Sequence, residues 1–188
     1  MKSFSEWLNE SQKLYLPDNL PDIVYMLRNI TDRNPYDIDD DLYGDILDGK
    51  KNAVKNFFSR YDAHLKALKE MLPTHKNAAE KKIASQVLSS FEKLKNGYLK
   101  YEANIQHILS TVKKGEPEET AIPKLAKLTR EAKYYSLEDF AFTDTYFDEY
   151  SEEEIKEQID VHRGTVKLNG GADLYVNFKN GKVNYIKF

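Results

Sequence analysis

Between Asn77 and Lys114 the apolar side chains keep a single rhythm. Ala84, Val87, Phe91, Leu94, Tyr98, Tyr101, Ile105, Ile108 and Val112 follow one another at alternating steps of three and four. That spacing lays a continuous seam along one face of an α-helix. A helix of this length is roughly 55 Å long, more than a small core can wrap by itself. Other segments of the chain, or a second copy of it, must therefore cover the seam.

The preceding stretch supplies the first neighbour. Val54, Phe57, Phe58, Tyr61, Leu65, Leu68 and Leu72 recur at helical spacing, so one helix is expected over 50–72, stopped by Pro73. Asn77 caps the long helix, with Glu80 at the capping-box position. A connection of about four residues makes the two helices antiparallel, seam against seam. Gly97 lies within the long helix, at a cost of about 1 kcal/mol against alanine, and marks a bend or a close crossing. After Gly115-Glu116-Pro117, Pro123 opens a third amphipathic helix reaching about Tyr135, with Ile122, Leu125, Leu128 and Ala132 on its apolar face. Upstream, residues 3–16 read as a short amphipathic helix, with Phe4, Trp7 and Leu8 on one face. Pro21 begins another, over 21–30, with Ile23, Val24, Met26, Leu27 and Ile30 as its stripe.

The end of the chain changes period. Thr165–Leu168, Ala172–Phe178 and Lys182–Phe188 alternate, separated by Asn169-Gly170-Gly171 and Asn180-Gly181. Asn-Gly between alternating runs is a strong hairpin signal. A two-residue turn there would set Phe178 opposite Val183 and Val176 opposite Tyr185. The fold class that follows is α+β but mainly α: an antiparallel helical bundle with a long central helix and a small C-terminal three-stranded antiparallel β-meander. The division expected is an N-terminal segment 1–16, a helical bundle 17–135, and an acidic aromatic segment plus meander over 136–188.

Charge is unevenly spread. The chain of 188 residues has a net charge of −3. Residues 1–48 balance at −7, residues 49–135 at +9 and residues 136–188 at −5. The lysines of the middle are scattered around the helices, which favours acidic ends offsetting a basic middle over a nucleic-acid face. A nucleic-acid partner, with bases stacking on tyrosine, is the less favoured reading. No apolar run approaches the ~18 residues of a membrane span, so no membrane partner is expected. Cysteine is absent, which excludes disulfides and thiolate metal sites.

No catalytic signature is present. His64, His75, His107 and His162 stand in no H-E-x-x-H arrangement, and there is no phosphate-binding loop and no nucleophile elbow. The alternation Asp37, Asp39, Asp41 suggests a calcium loop, but the sixth and twelfth positions are Leu42 and Asp48, not glycine and glutamate. A solvated acidic loop accounts for it better. The reading is thus of a protein that is not an enzyme and needs no cofactor or metal. Residues 134–150 are dense in aromatics, interleaved and followed by carboxylates. Glu138, Asp139, Asp144, Asp148, Glu149, Glu152 and Glu153 are the candidates for binding a basic protein partner. The plainer account is that the rings plug the bundle while the carboxylates face water. Ser151-Glu152-Glu153-Glu154 is a capping box, so a short helix is expected over 152–160.

The first eleven residues carry one further pattern: Lys2, Ser3, Phe4, Glu6, Trp7-Leu8, then Glu10 followed by Ser11. This stretch resembles the capsid-targeting peptide of internal head proteins of T4-type bacteriophages. The resemblance is confined to these residues. It implies direction into the assembling prohead and cleavage by the phage maturation protease after the glutamate of an aliphatic-x-Glu triplet. Leu8, Glu10 and Ser11 would be the processing residues. Members of that family are packaged with DNA and injected, and some block host restriction enzymes. The resemblance therefore implies the virion interior or the host bacterial cytoplasm as location. It also implies a host defence protein or a phage head component as partner. Two alternatives stand beside it: a scaffold-like homo-oligomer joined along the long helix, and an unrecognised hydrolase or transferase.

Overall fold

The computed structural model describes residues 19–32, 40–131, 133–135 and 144–188. The expected helix over 3–16 lies outside them. The described residues form seven helices: α1 (Leu20–Thr31), α2 (Asp40–Leu47), α3 (Ala53–Ser59), α4 (Asp62–Met71), α5 (Ala78–Ser110), α6 (Glu118–Glu131) and α7 (Glu152–Val161). Strands β1 (Lys133–Tyr135) and β2 (Asp144–Tyr146) form a two-stranded antiparallel ribbon. Strands β3 (Thr165–Leu168), β4 (Leu174–Lys179) and β5 (Lys182–Lys187) form an antiparallel sheet in that order. The fold is mainly helical, with one long helix and a C-terminal three-stranded meander. Residues 19–32 and 55–95 group as one compact unit; residues 40–54 and 96–188 group as a second.

In the first unit, α1 packs on α4. Asn19 caps α1 by accepting from the Asp22 amide at 3.0 Å, and Leu20, Ile23, Val24, Leu27 and Ile30 are buried along its inner face. Pro21 sits at the start of this helix, where no amide is needed. The expected single helix over 50–72 is two. Ser59 ends α3, and the Arg60 and Tyr61 amides turn back to the carbonyls of Phe57 and Phe58, at 3.3 and 3.0 Å. The tighter turn still leaves Phe58 and Tyr61 meeting Phe91, with ring centroids 5.4 and 5.7 Å apart. Antiparallel packing of α4 on the first half of α5 is direct: Lys69 pairs with Glu92 at 2.9 Å, and Asp62 with Lys95 at 3.9 Å. The Asn77 side chain accepts from the amides of Ala79 and Glu80, at 3.0 and 3.3 Å, and so caps α5. Glu80 does not reach the Asn77 amide; its Oε1 accepts from Asn77 Nδ2 at 2.7 Å and its Oε2 meets His75 Nε2 at 2.5 Å.

All nine seam residues are buried, the eight from Ala84 to Ile108 in α5 and Val112 two residues beyond its end. Gly97 is also buried, and α5 passes through it without a break. In the second unit, α2 buries Leu42 and Ile46 and stacks Tyr43 on Tyr101, with ring centroids 6.0 Å apart. It ends in a Schellman-type turn, Gly49 to Ile46 and Lys50 to Asp45, with Gly49 at φ 70°. A side chain at Gly49 would meet the tip of Leu109 at 2.8 Å, which that side chain could relieve, but φ of 70° is the backbone conformation that favours glycine.

The third amphipathic helix begins five residues before the expected start. Pro123 lies inside α6, exposed to solvent, and removes one backbone bond that water can replace. The helix stops at Glu131, and residues 133–135 pair as a strand with 144–146. The chain between α5 and α6 runs beside the meander and joins it by an antiparallel bridge of Pro117 to Lys182. The Gly115 amide donates to Val183 at 2.7 Å, the Val183 amide donates to Glu116 at 2.9 Å, and the Glu118 amide donates to Gly181 at 3.0 Å. At the opposite edge, the Lys167 amide donates to Gln158 Oε1 of α7 at 2.9 Å. One face of the sheet buries Val166, Leu168, Leu174, Val176, Phe178 and Val183.

The hairpin register is half as expected. Asn180 and Gly181, at φ 54° and 69°, form a two-residue turn that sets Phe178 opposite Val183. A bulge follows, so Val176 faces Ile186 and Tyr185 faces Asn177.

Candidate functional site

Of the carboxylates singled out for partner binding, Asp148, Glu149, Glu152 and Glu153 lie where the chain enters α7. Leu8, Glu10 and Ser11 lie outside the described residues, as do Glu138 and Asp139; of Asp144 only its place in β2 is described. The remainder can be built residue by residue.

Phe147 is buried and stacks on Phe188 at a centroid distance of 6.4 Å. Its neighbours are fixed by backbone bonds. The Asp148 amide donates to Asn169 at 3.0 Å, and the Tyr150 amide donates to the Thr129 hydroxyl of α6 at 3.1 Å. The Tyr150 hydroxyl accepts from the Asn169 side chain at 2.8 Å. These bonds hold residues 147–150 in one course and turn Asp148 and Glu149 outward, both exposed. The expectation that rings pack while carboxylates face water therefore holds at Phe147, Asp148 and Glu149.

Ser151 then caps α7, accepting from the Glu154 amide at 3.2 Å, while Glu154 accepts from the Ser151 amide at 2.8 Å and completes the capping box. Those bonds from the Ser151 amide and hydroxyl hold the Glu154 carboxyl below its usual range. Glu154 is thereby committed to the helix. Glu152 is half-buried and Glu153 exposed, both in the first turn, where the helix dipole favours negative charge. Glu157 and Asp160 are exposed further along. None of Asp148, Glu149, Glu152, Glu153, Glu157 and Asp160 forms an ion pair among the described residues.

The other chemically capable groups are dispersed. His64 is buried in α4, His75 is held by Glu80, and His107 and His162 are exposed. His107 lines a polar cleft of about 490 Å³ with Asn104, Thr111, Lys124 and Lys127, but Lys124 is already bound to Glu116 and Lys127 to Glu131. The acidic stretch expected as a solvated loop is a helix from Asp40 to Leu47, held by the burial of Leu42 and Ile46, and its Asp45 is paired with Lys50, whose ammonium is held above its usual range by that bond. Among the described residues no three His, Asp or Glu side chains converge on a point where a metal ion could sit. Among the described residues no helix is long and apolar enough to cross a membrane.

Sequence reading missed the solvent-facing side of the C-terminal sheet, which carries Lys167, Tyr175, Tyr185 and Lys187. Alternation alone carried the signal for Lys167 and Tyr175, whereas Tyr185 and Lys187 reach this side through the register shift between Asn177 and Phe178. No family model matches the chain, and no curated protein and no solved structure is similar to it.

Proposed function

We propose that this chain is a non-enzymatic bacteriophage protein, packaged in the head and injected, that binds a basic surface of a host defence protein of the restriction type. The observation that supports the binding step is the row Asp148, Glu149, Glu153. These are exposed carboxylates on a backbone tied to α6 and to the β3–β4 turn, and no described cation neutralises them. Such an arrangement keeps its field for a partner and presents it without ordering cost. The phage assignment rests on the resemblance of residues 1–11.

The two halves are tested separately. Incubation of the full chain with a T4-type maturation protease is expected to cut between Glu10 and Ser11, and Glu10→Gln is expected to resist. An uncut wild-type chain would remove the packaging step. For binding, a restriction-type endonuclease is expected to retain the wild-type chain at low salt and release it as salt rises. Asp148→Lys with Glu149→Lys should weaken retention at least tenfold. Equal retention of the reversed variant would remove the acidic surface from the reading. The scaffold-like oligomer has less support, because the seam it would use is already buried within the single chain.

A further inference from the structure

The outward side of the meander follows from its pairing. Thr165, Asn177 and Tyr185 lie in one cross-strand row; Lys167, Tyr175 and Lys187 lie in the next; Lys179 and Lys182 flank the turn. All stand opposite in alternation to the buried Val166, Leu168, Leu174, Val176, Phe178 and Val183.

Tyr185 reaches this face only because of the bulge. Counted from the Asn180-Gly181 turn without interruption, Tyr185 would face Val176 on the buried side, and Ile186 would face solvent. The shift at Asn177/Phe178 inserts Asn184, brings Tyr185 opposite Asn177, and leaves that residue 39% exposed. A bulge re-aims side chains at a local cost in pairing, and here it turns an aromatic ring outward. The face is also braced. Asn184 Nδ2 donates to Asn177 Oδ1 at 3.0 Å, and Asn177 Nδ2 donates to Thr165 Oγ1 at 2.9 Å, a chain of side chains across three strands.

Each ring has a cation beside it. Lys167 Nζ stands 6.0 Å from the Tyr175 centroid, and Lys187 Nζ 5.7 Å from that of Tyr185. Tyr175 and Tyr185 are diagonal neighbours, at a separation of about 7–8 Å for such positions. Lys167 is bound to Asp173 at 2.8 Å. Lys179, Lys182 and Lys187 have no ion pair with a described carboxylate.

We infer that this face binds single-stranded nucleic acid, two bases stacking on Tyr175 and Tyr185 while the phosphates follow Lys179, Lys182 and Lys187. An acidic protein would use the lysines, but not two rings turned outward on a stiffened sheet. A duplex would offer phosphates and hide the base faces that rings recognise. The inference uses none of the carboxylates of residues 148–153 and is independent of residues 1–11.

The test is fluorescence polarisation of the full chain with a labelled thymidine oligonucleotide of about 15 residues at low salt. Saturable binding is expected, with a duplex of equal length at least tenfold weaker. Tyr175→Ala and Tyr185→Ala should each weaken binding about tenfold, while Tyr185→Phe keeps it. Tyr185→Leu retains bulk without a ring and carries the same expectation should the alanine variants fail to fold. Lys182→Gln and Lys187→Gln should each flatten the salt dependence by about 0.7 in log–log slope. Three results would each overturn the inference. The first is absence of binding; the second is equal affinity for duplex. The third is loss only in the lysine variants together with displacement by polyglutamate, which would mark a surface for acidic protein.

Discussion

The Phe178 amide donates to the Gly164 carbonyl at 2.6 Å, and a Cβ on Gly164 would stand 2.3 Å from the Phe178 oxygen. With φ at 85°, Gly164 is excluded from bearing a side chain on both counts. Gly164→Ala is expected to destabilise the second unit by about 2–3 kcal/mol, measured by urea unfolding. Gly44→Ala is the contrast. It lies inside α2, its Cβ would meet nothing within 4 Å, and the change should gain up to about 1 kcal/mol.

Glu116 accepts from Lys124 Nζ at 2.5 Å and from the Lys113 amide at 3.0 Å, with its side chain 11% exposed. Those two bonds hold its carboxyl below the ordinary range, the Lys124 bond contributing most. A carboxyl depressed in the folded state stabilises fully above its unfolded value, about 4.3, and loses that contribution as pH falls through the lower folded value. Glu116→Gln should therefore be less stable than wild type near neutrality. The difference should close on acidification below about pH 4, as read by unfolding curves across the series.

Ser151→Ala removes the hydroxyl that receives the Glu154 amide and should cost about 1 kcal/mol. Amide exchange in the first turn of α7 should quicken, while exchange in β3–β5 changes little. That local readout separates loss of the cap from general weakening.

Glu102 is 7% exposed within α5, and its Oε1 has no hydrogen-bond partner among the described residues. Leaving one carboxylate oxygen buried without a partner carries a desolvation cost. Glu102→Met, of similar length, should raise stability by about 1–2 kcal/mol, seen as a higher urea midpoint at unchanged slope.

Periodicity made the long helix legible, since each of the nine seam residues from Ala84 to Val112 is buried. It hid the break between α3 and α4 for the same reason. Phe57, Phe58, Tyr61 and Leu65 keep helical spacing through a tight turn that contains neither proline nor glycine. The capping box at Ser151 and the Asn180-Gly181 turn are local chemistry and could be read directly. A turn, however, sets only the pairs next to it, and the extra residue Asn184 lies beyond its reach. Gly115-Glu116-Pro117 carries no strand alternation, so its role beside β5 was invisible until β5 was in place. Among the candidate carboxylates, exposure at Asp148, Glu149 and Glu153 follows from composition. Their fixed presentation depends on Thr129 and Asn169, distant in sequence.

Each outer strand of the meander has a partner on part of its edge: β5 has the backbone of Gly115–Pro117 at Lys182 and Val183, and β3 has the Gln158 amide group at Lys167. An incoming strand from another chain would have to evict those groups before it could align. Cross-chain zippering is thus interrupted at one place on each margin. The free surface of this sheet is its broad side, not its rim.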